Sequence, residues 1–122
     1  MRKFSFQKEE RLSRKKLIEE LFANGSSKSF FPLKVVFLTR PGNDPHQVLI
    51  STPSKTFKRA VDRNKLKRRI REGYRLNKTL LRASPTFCLA YIYIAREVLP
   101  STVIHKAIRS SLERLNSYET KD

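Results

Sequence analysis

Residues 58–75 read KRAVDRNKLKRRIREGYR, and the organisation of the whole chain follows from how this stretch folds. At ~100° per residue, the angle set by 3.6 residues per turn, Leu66, Ile70 and Tyr74 share one narrow sector. Gly73 lies beside them, where a missing side chain lets a neighbouring backbone approach. The spacing predicts a helix over about 60–78 with that sector facing a core. On another side Asn64, Lys67, Arg68, Arg71 and Arg75 form one contiguous arc. Residues 55–75 hold ten basic and two acidic residues, half of the net charge of +16. A solvated helix face usually interleaves Glu with Lys or Arg at i,i+4, yet only Asp62 and Glu72 are available here. The arc therefore reads as a phosphate-binding rail. Guanidinium forks grip phosphate oxygens bidentately, and the Asn64 amide can donate or accept at a sugar or base edge. Binding to a polyanion that weakens with salt follows, because each neutralised phosphate releases counterions. A nuclear-localisation reading of KLKRRIR fits any basic helix, and the Leu66 and Ile70 spacing argues for a folded segment instead.

Working outward, SRKKLIEELFANG (13–25) predicts a first helix: Ser13 can cap it, Leu17, Ile18, Leu21 and Phe22 recur at helical spacing, and Gly25 suits a left-handed stop. SSKSFFPLKVVFLTR (26–40) reads as a short edge segment and then a strand, with Pro32 at an edge or strand start. A turn at PGND and a returning strand, HQVLIST, predict an antiparallel pair. PSKTFKR (53–59) is a basic loop into the rail helix. SPT (84–86) breaks the chain before an apolar strand, Phe87 to Ala95. A last helix starts near Ser101 with a stripe of Val103, Ile104, Ala107, Ile108, Leu112 and Leu115. The order α-β-β-β-α-β-α is that of an α+β fold, helices packed on a small, mostly antiparallel sheet. At 122 residues the chain fits a single domain over 1–122, with a basic N-terminal arm (about 1–12) and a polar C-terminal tail (about 117–122).

Charge and composition narrow the partners. With 27 Lys and Arg against 11 Asp and Glu and no Trp, nucleic acid is a better match than an anionic membrane. Acidic protein surfaces are left open. The N-terminus lacks a signal-peptide core, and FCLAYIYIA, nine residues, is too short to span a bilayer as a helix. A cytoplasmic location is expected, in keeping with one cysteine, Cys88, inside that apolar run. His46 and His105 have no carboxylate or cysteine at ligand spacing, so no metal site is expected on the protein. Nor do two isolated histidines and scattered carboxylates make a protein nuclease: no catalytic residue is assigned.

Composition does not choose between RNA and DNA, whereas the order of residues does. An Arg-Asn pair, two variable residues, Lys-Arg, two more, then Arg-Glu (Arg63, Asn64, Lys67, Arg68, Arg71, Glu72) closely resembles the signature of the bacterial ribonuclease P protein component. The basic arm and short helix ending in LFANG, the Thr-Pro-Ser-Lys loop, the late apolar strand and the terminal helix resemble that family over nearly the whole chain. The resemblance implies a split β-α-β fold of the ribosomal-protein-S5-like kind, with a left-handed crossover that the general right-handed rule does not suggest. It also implies a role as subunit of a ribonucleoprotein endonuclease maturing tRNA 5′ ends. A large RNA would hold the magnesium and cleave, while the protein binds no cofactor itself. Its partners would be ribonuclease P RNA and precursor tRNA, with no DNA and no membrane. A non-enzymatic RNA-binding protein, such as a ribosomal protein, shares the same size, charge and α+β character and stands as the alternative.

Carried over by resemblance, Arg63, Asn64, Lys67, Arg68 and Arg71 contact the catalytic RNA, with Lys65 and Arg75 added by adjacency. The single-stranded leader would lie in a cleft between the first helix and the sheet. Ile18, Phe22 and Val36 occupy the stacking positions, and Lys55, Lys58 and Arg59 follow the backbone. Ile18 and Val36 depart from the aromatics common in the family, and Ser54 falls where the family often has a base; both departures imply a weaker grip. Phe22 fits either a core residue of its helix or a cleft platform. Arg11, Arg14, Lys15 and Lys16 fit either RNA contacts or a solvated arm.

Overall fold

The computed structural model describes residues 12, 15–42, 45–81 and 86–116. Ser13, Arg11, Arg14, most of the N-terminal arm, Ser84 and Pro85 of the predicted chain break, and the 117–122 tail lie outside them. In chain order the elements are α1 (Lys15–Asn24), β1 (Ser26–Phe30), β2 (Leu33–Arg40), β3 (Gln47–Ser51), α2 (Ala60–Asn77, followed by a 3-10 turn at Lys78–Leu80), β4 (Thr86–Tyr93) and α3 (Ser101–Asn116). This is the predicted α+β order.

The strand pairing differs from the expected hairpin. β3 does not return along β2; the sheet order is β1-β2-β4-β3, with β3 parallel to β4 and the other two pairs antiparallel. The physical reason lies in β4, TFCLAYIY, which is buried at seven of its eight positions. A strand apolar on both faces gains most when flanked by neighbours on both edges, so β4 takes the interior and separates β2 from β3. The connection from β3 to β4 then carries α2, the usual requirement for joining parallel strands.

Alternation along the strands sorts the side chains into two layers. Leu33, Val35, Phe37, Val48, Phe87, Leu89, Tyr91 and Tyr93 point to the face covered by α2 and α3. There they meet Leu66, Ile70 and Tyr74 of α2 and Ile104, Ile108, Leu112 and Leu115 of α3. Gly73 serves as the sequence predicts: a Cβ there would lie 2.6 Å from Ile108 Cδ1 and 2.9 Å from His105 Cδ2, so the glycine sets how close α3 comes. Ser111 is fully buried in the α3 stripe because its hydroxyl donates to the Ile108 carbonyl at 2.6 Å and meets the Tyr91 hydroxyl at 3.0 Å. Val103, assigned to that stripe from spacing, is 39% exposed instead.

The opposite face holds a smaller cluster of Leu12, Leu21, Val36, Cys88 and Ala90, with Leu17 and Ile18 of α1 packed over it. Gly25 ends α1 without the left-handed conformation expected of it; Gly42 is the glycine with positive φ. Its role is proximity. A Cβ on Gly25 would lie 2.3 Å from the Leu21 carbonyl oxygen and 2.9 Å from that of Phe37, so α1 seats on β2 only where no side chain intervenes. Burial pushes the Cys88 thiol above its ordinary range, the reverse of what a nucleophile needs. Iodoacetamide is therefore expected to leave the native thiol unmodified and to label it fully in denaturant. Rapid native labelling would mean that α1 lifts from the sheet.

Candidate nucleic-acid interface

With Leu66, Ile70 and Tyr74 fixed in the core, the arc of α2 falls on the outside: Asn64, Arg68 and Arg71 are exposed, while Lys67 and Arg75 are half-buried. The predicted members do not play equal parts. Arg63 turns back to the preceding loop and donates from Nη1 to the carbonyls of Phe57 at 2.6 Å and Lys58 at 2.9 Å. It braces the loop as much as it faces solvent. Arg75 is paired with Glu72, donating through Nη2 and, at 3.4 Å, through Nε. That hydrogen bond holds the Glu72 carboxyl below its usual range and raises the arginine, so one rail charge is already compensated. Lys65, added by adjacency, lies beside the arc and lines a cleft of about 240 Å³ with Arg68, Arg69, Glu72 and Ser101. Arg69, which the sequence reading passed over, donates to the Leu99 carbonyl at 2.6 Å and ties α2 to the approach of α3.

The loop between β3 and α2 is held at both ends. Phe57 is buried, its ring 5.6 Å from Tyr93 in an edge-on contact, and its N–H donates to the Pro53 carbonyl at 3.1 Å. Lys55, Lys58 and Arg59 stand exposed on this braced segment. Holding them in place spares part of the entropy that ordering a loop on a ligand would cost.

On the α1 face the strand registers line up in ranks across the sheet. Ser27, Val36, Ala90 and Leu49 form one rank; Ser29, Lys34, Ile92 and Ser51 form the next, toward the loop. Val36 is only 6% exposed and lies beneath the end of α1, so it supports the floor rather than offering surface. Phe22 is 48% exposed, which removes the core reading left open by its spacing, and half-buried Ile18 lies one turn before it. Lys15 and Lys16 are exposed at the start of α1. Lys34, exposed between Ser29 and Ile92, was missed by the sequence reading. Its signal was present, since it shares the parity of Val36 along β2. The result is a shallow trough with an aromatic and an aliphatic rim on α1, a floor of small and apolar side chains, and cations at Lys34 and along the loop. A flexible strand with bases to stack and phosphates to neutralise suits such a surface.

Both histidines have structural work: His46 Nδ1 accepts from the Phe87 N–H at 2.9 Å, and His105 Nε2 lies 3.1 Å from the Arg69 carbonyl. Among the described residues, no three His, Cys, Asp or Glu gather into a group that could hold a metal, and no helix is long and apolar enough to cross a membrane.

A family model described as Ribonuclease P matches residues 6–116. The chain is 34% identical to the ribonuclease P protein component of Porphyromonas gingivalis, over 92% of this chain and 87% of that one. It is 35% identical to the protein of the same description from Chlorobaculum tepidum, over 84% and 77%. Among solved structures it resembles the RNase P protein from Thermotoga maritima, with a TM-score of 0.71 and 27% identity over 86% of this chain and 96% of that one.

Proposed function

This chain belongs to the ribonuclease P protein family, the protein subunit of a ribonucleoprotein endoribonuclease that processes tRNA, and on that premise we propose how its surfaces divide the work. The arc Asn64, Lys67, Arg68 and Arg71 grips the catalytic RNA, and the trough beside α1 receives the 5′ leader of precursor tRNA. The observation that carries this reading is the imbalance along α2, where, among the described residues, Glu72 is the carboxylate paired with a rail cation. Uncompensated like charge on a rigid helix costs self-repulsion that a polyphosphate partner relieves.

The protein's contribution is positional. Arg63, committed to the Phe57 and Lys58 carbonyls, ties the α2 arc to the basic loop, while Arg75 pairs with Glu72 within α2 itself; Lys34, Lys55, Lys58 and Arg59 neutralise leader phosphates, and Phe22 stacks a base. Magnesium enters through the RNA, whose phosphates supply the hard oxygen ligands the ion prefers. The protein's carboxylates are dispersed, and a basic surface repels a divalent cation. We place the assembly in the cytoplasm, where precursor tRNA is processed.

Reconstitution tests the reading. Adding the protein to the cognate catalytic RNA at low magnesium should increase leader removal from precursor tRNA. Phe22→Ala should lose about tenfold in affinity for a substrate with a leader, the lower part of what one base–aromatic stack supplies, and nothing for one without. Equal stimulation by wild type and Phe22→Ala on both substrates would remove Phe22 from the trough, and no stimulation by the wild type would defeat the functional reading.

A further inference from the structure

A third surface lies away from both of these. α3 turns His105 and Ile108 toward α2 at Gly73, and on its opposite flank Val103, Lys106, Ala107 and Ser110 close a cleft of about 410 Å³ against Phe30 and Phe31. Such a volume lies within the ~300–1,000 Å³ typical of ligand sites. Phe31, at the turn between β1 and β2, is 68% exposed. That is a large aromatic surface to leave in water. Lys28, on the same sheet face as Phe30 by register with Val35, adds a second exposed cation at the sheet edge.

We propose that this cleft holds an unpaired nucleotide of the ribonuclease P RNA, its base on Phe31 and its phosphate at Lys106, a contact separate from the α2 rail. An aromatic platform beside a cation is the chemistry that captures a single-stranded base, and Ser110 offers a hydroxyl to the base edge. Charge chooses the occupant. The lining contains one cation and no carboxylate, and a chain of net charge +16 repels a second copy of itself. Position chooses the RNA: α3 lies in the same helical layer as α2, over the sheet face opposite the leader trough. One RNA can therefore reach both sides of that layer. The inference rests on the family reading of the RNA partner.

The test titrates the full-length protein with cognate ribonuclease P RNA over a range of salt concentrations, as wild type, Phe31→Ala, Phe31→Tyr, Lys106→Ala and Arg68→Ala. Phe31→Ala should weaken binding about tenfold, as for one lost stack, with the salt slope unchanged, while Phe31→Tyr restores the affinity. Lys106→Ala should lower the slope by ~0.7, the value for one phosphate on a single strand. Phe31 is exposed, so its loss does not endanger the fold. Wild-type affinity in Phe31→Ala, alongside a loss in Arg68→Ala, overturns the cleft and leaves the family reading standing. A defect in Phe31→Ala confined to self-association, or to precursor tRNA, overturns it too by assigning another occupant. A wild-type chain that fails to bind the RNA overturns both readings.

Discussion

Replacing Lys67, Arg68 and Arg71 together by alanine should lower affinity for the catalytic RNA about a hundredfold near physiological salt. These three are chosen because the structure leaves them uncommitted, whereas Arg63 braces the loop and Arg75 holds Glu72. Each phosphate they neutralise contributes ~0.7–0.9 to the slope of log affinity against log salt, so the slope should fall by ~2–3. The consequence is a crossing: the deficit shrinks as salt rises and nearly vanishes around 1 M, where counterion release no longer favours binding. Thermal stability should hold or rise slightly, since three like charges leave a helix whose core contacts are untouched. A deficit that persists undiminished at high salt, or an unchanged slope, would place the RNA elsewhere on the protein.

What the sequence made legible divides along physical lines. The docking of α2 was readable because a helix with Leu66, Ile70 and Tyr74 on one sector and Gly73 beside them has one way to bury itself, and periodicity reports it directly. The parallel pairing of β3 with β4 was not legible from patterning, and only the family resemblance, with its β-α-β crossover, implied it. Nearness in sequence favours a β2–β3 hairpin, while the observed order is decided by competition among strands for the sheet interior, a property of the whole set. Gly25 was recognised as a stop, but for its conformational freedom; the need for close approach to Phe37 depends on a partner twelve residues away, in the sheet. Within the interface, the arc itself was legible and its internal division was not. The identity of Arg63 does not reveal that it folds back to the Phe57 and Lys58 carbonyls, and Lys34 becomes a candidate only once the β2 register places it beside Ile92. The exposed aromatic at Phe31 was passed over because Phe-Phe-Pro reads as a strand entry.

The second large effect is expected at Gly25. A methyl group there would meet two backbone carbonyl oxygens, at 2.3 Å and 2.9 Å, and the Val36 side chain at 3.2 Å. Backbone oxygens in a helix end and in a strand have no rotamer to change, so the strain moves the elements: α1 shifts off β2. Gly25→Ala should cost about 2–3 kcal/mol, toward the upper part of the range for overpacking, and lower the melting temperature by roughly 10 °C for a domain of this size. Gly73→Ala is the informative comparison. Its contacts are side-chain atoms, the tip of Ile108 and the ring of His105, rather than backbone, and alanine recovers about 0.5–1 kcal/mol of helix stability over glycine; its net cost should be smaller. Function should separate the two as well. Displacing α1 tilts Ile18 and Phe22 away from the trough while leaving the α2 arc in place, so Gly25→Ala should lose leader-dependent affinity and keep its salt-sensitive grip on the catalytic RNA. Equal melting temperatures for Gly25→Ala and wild type, or parallel loss of both affinities, would show that the close seat of α1 on β2 is not what forms the leader surface.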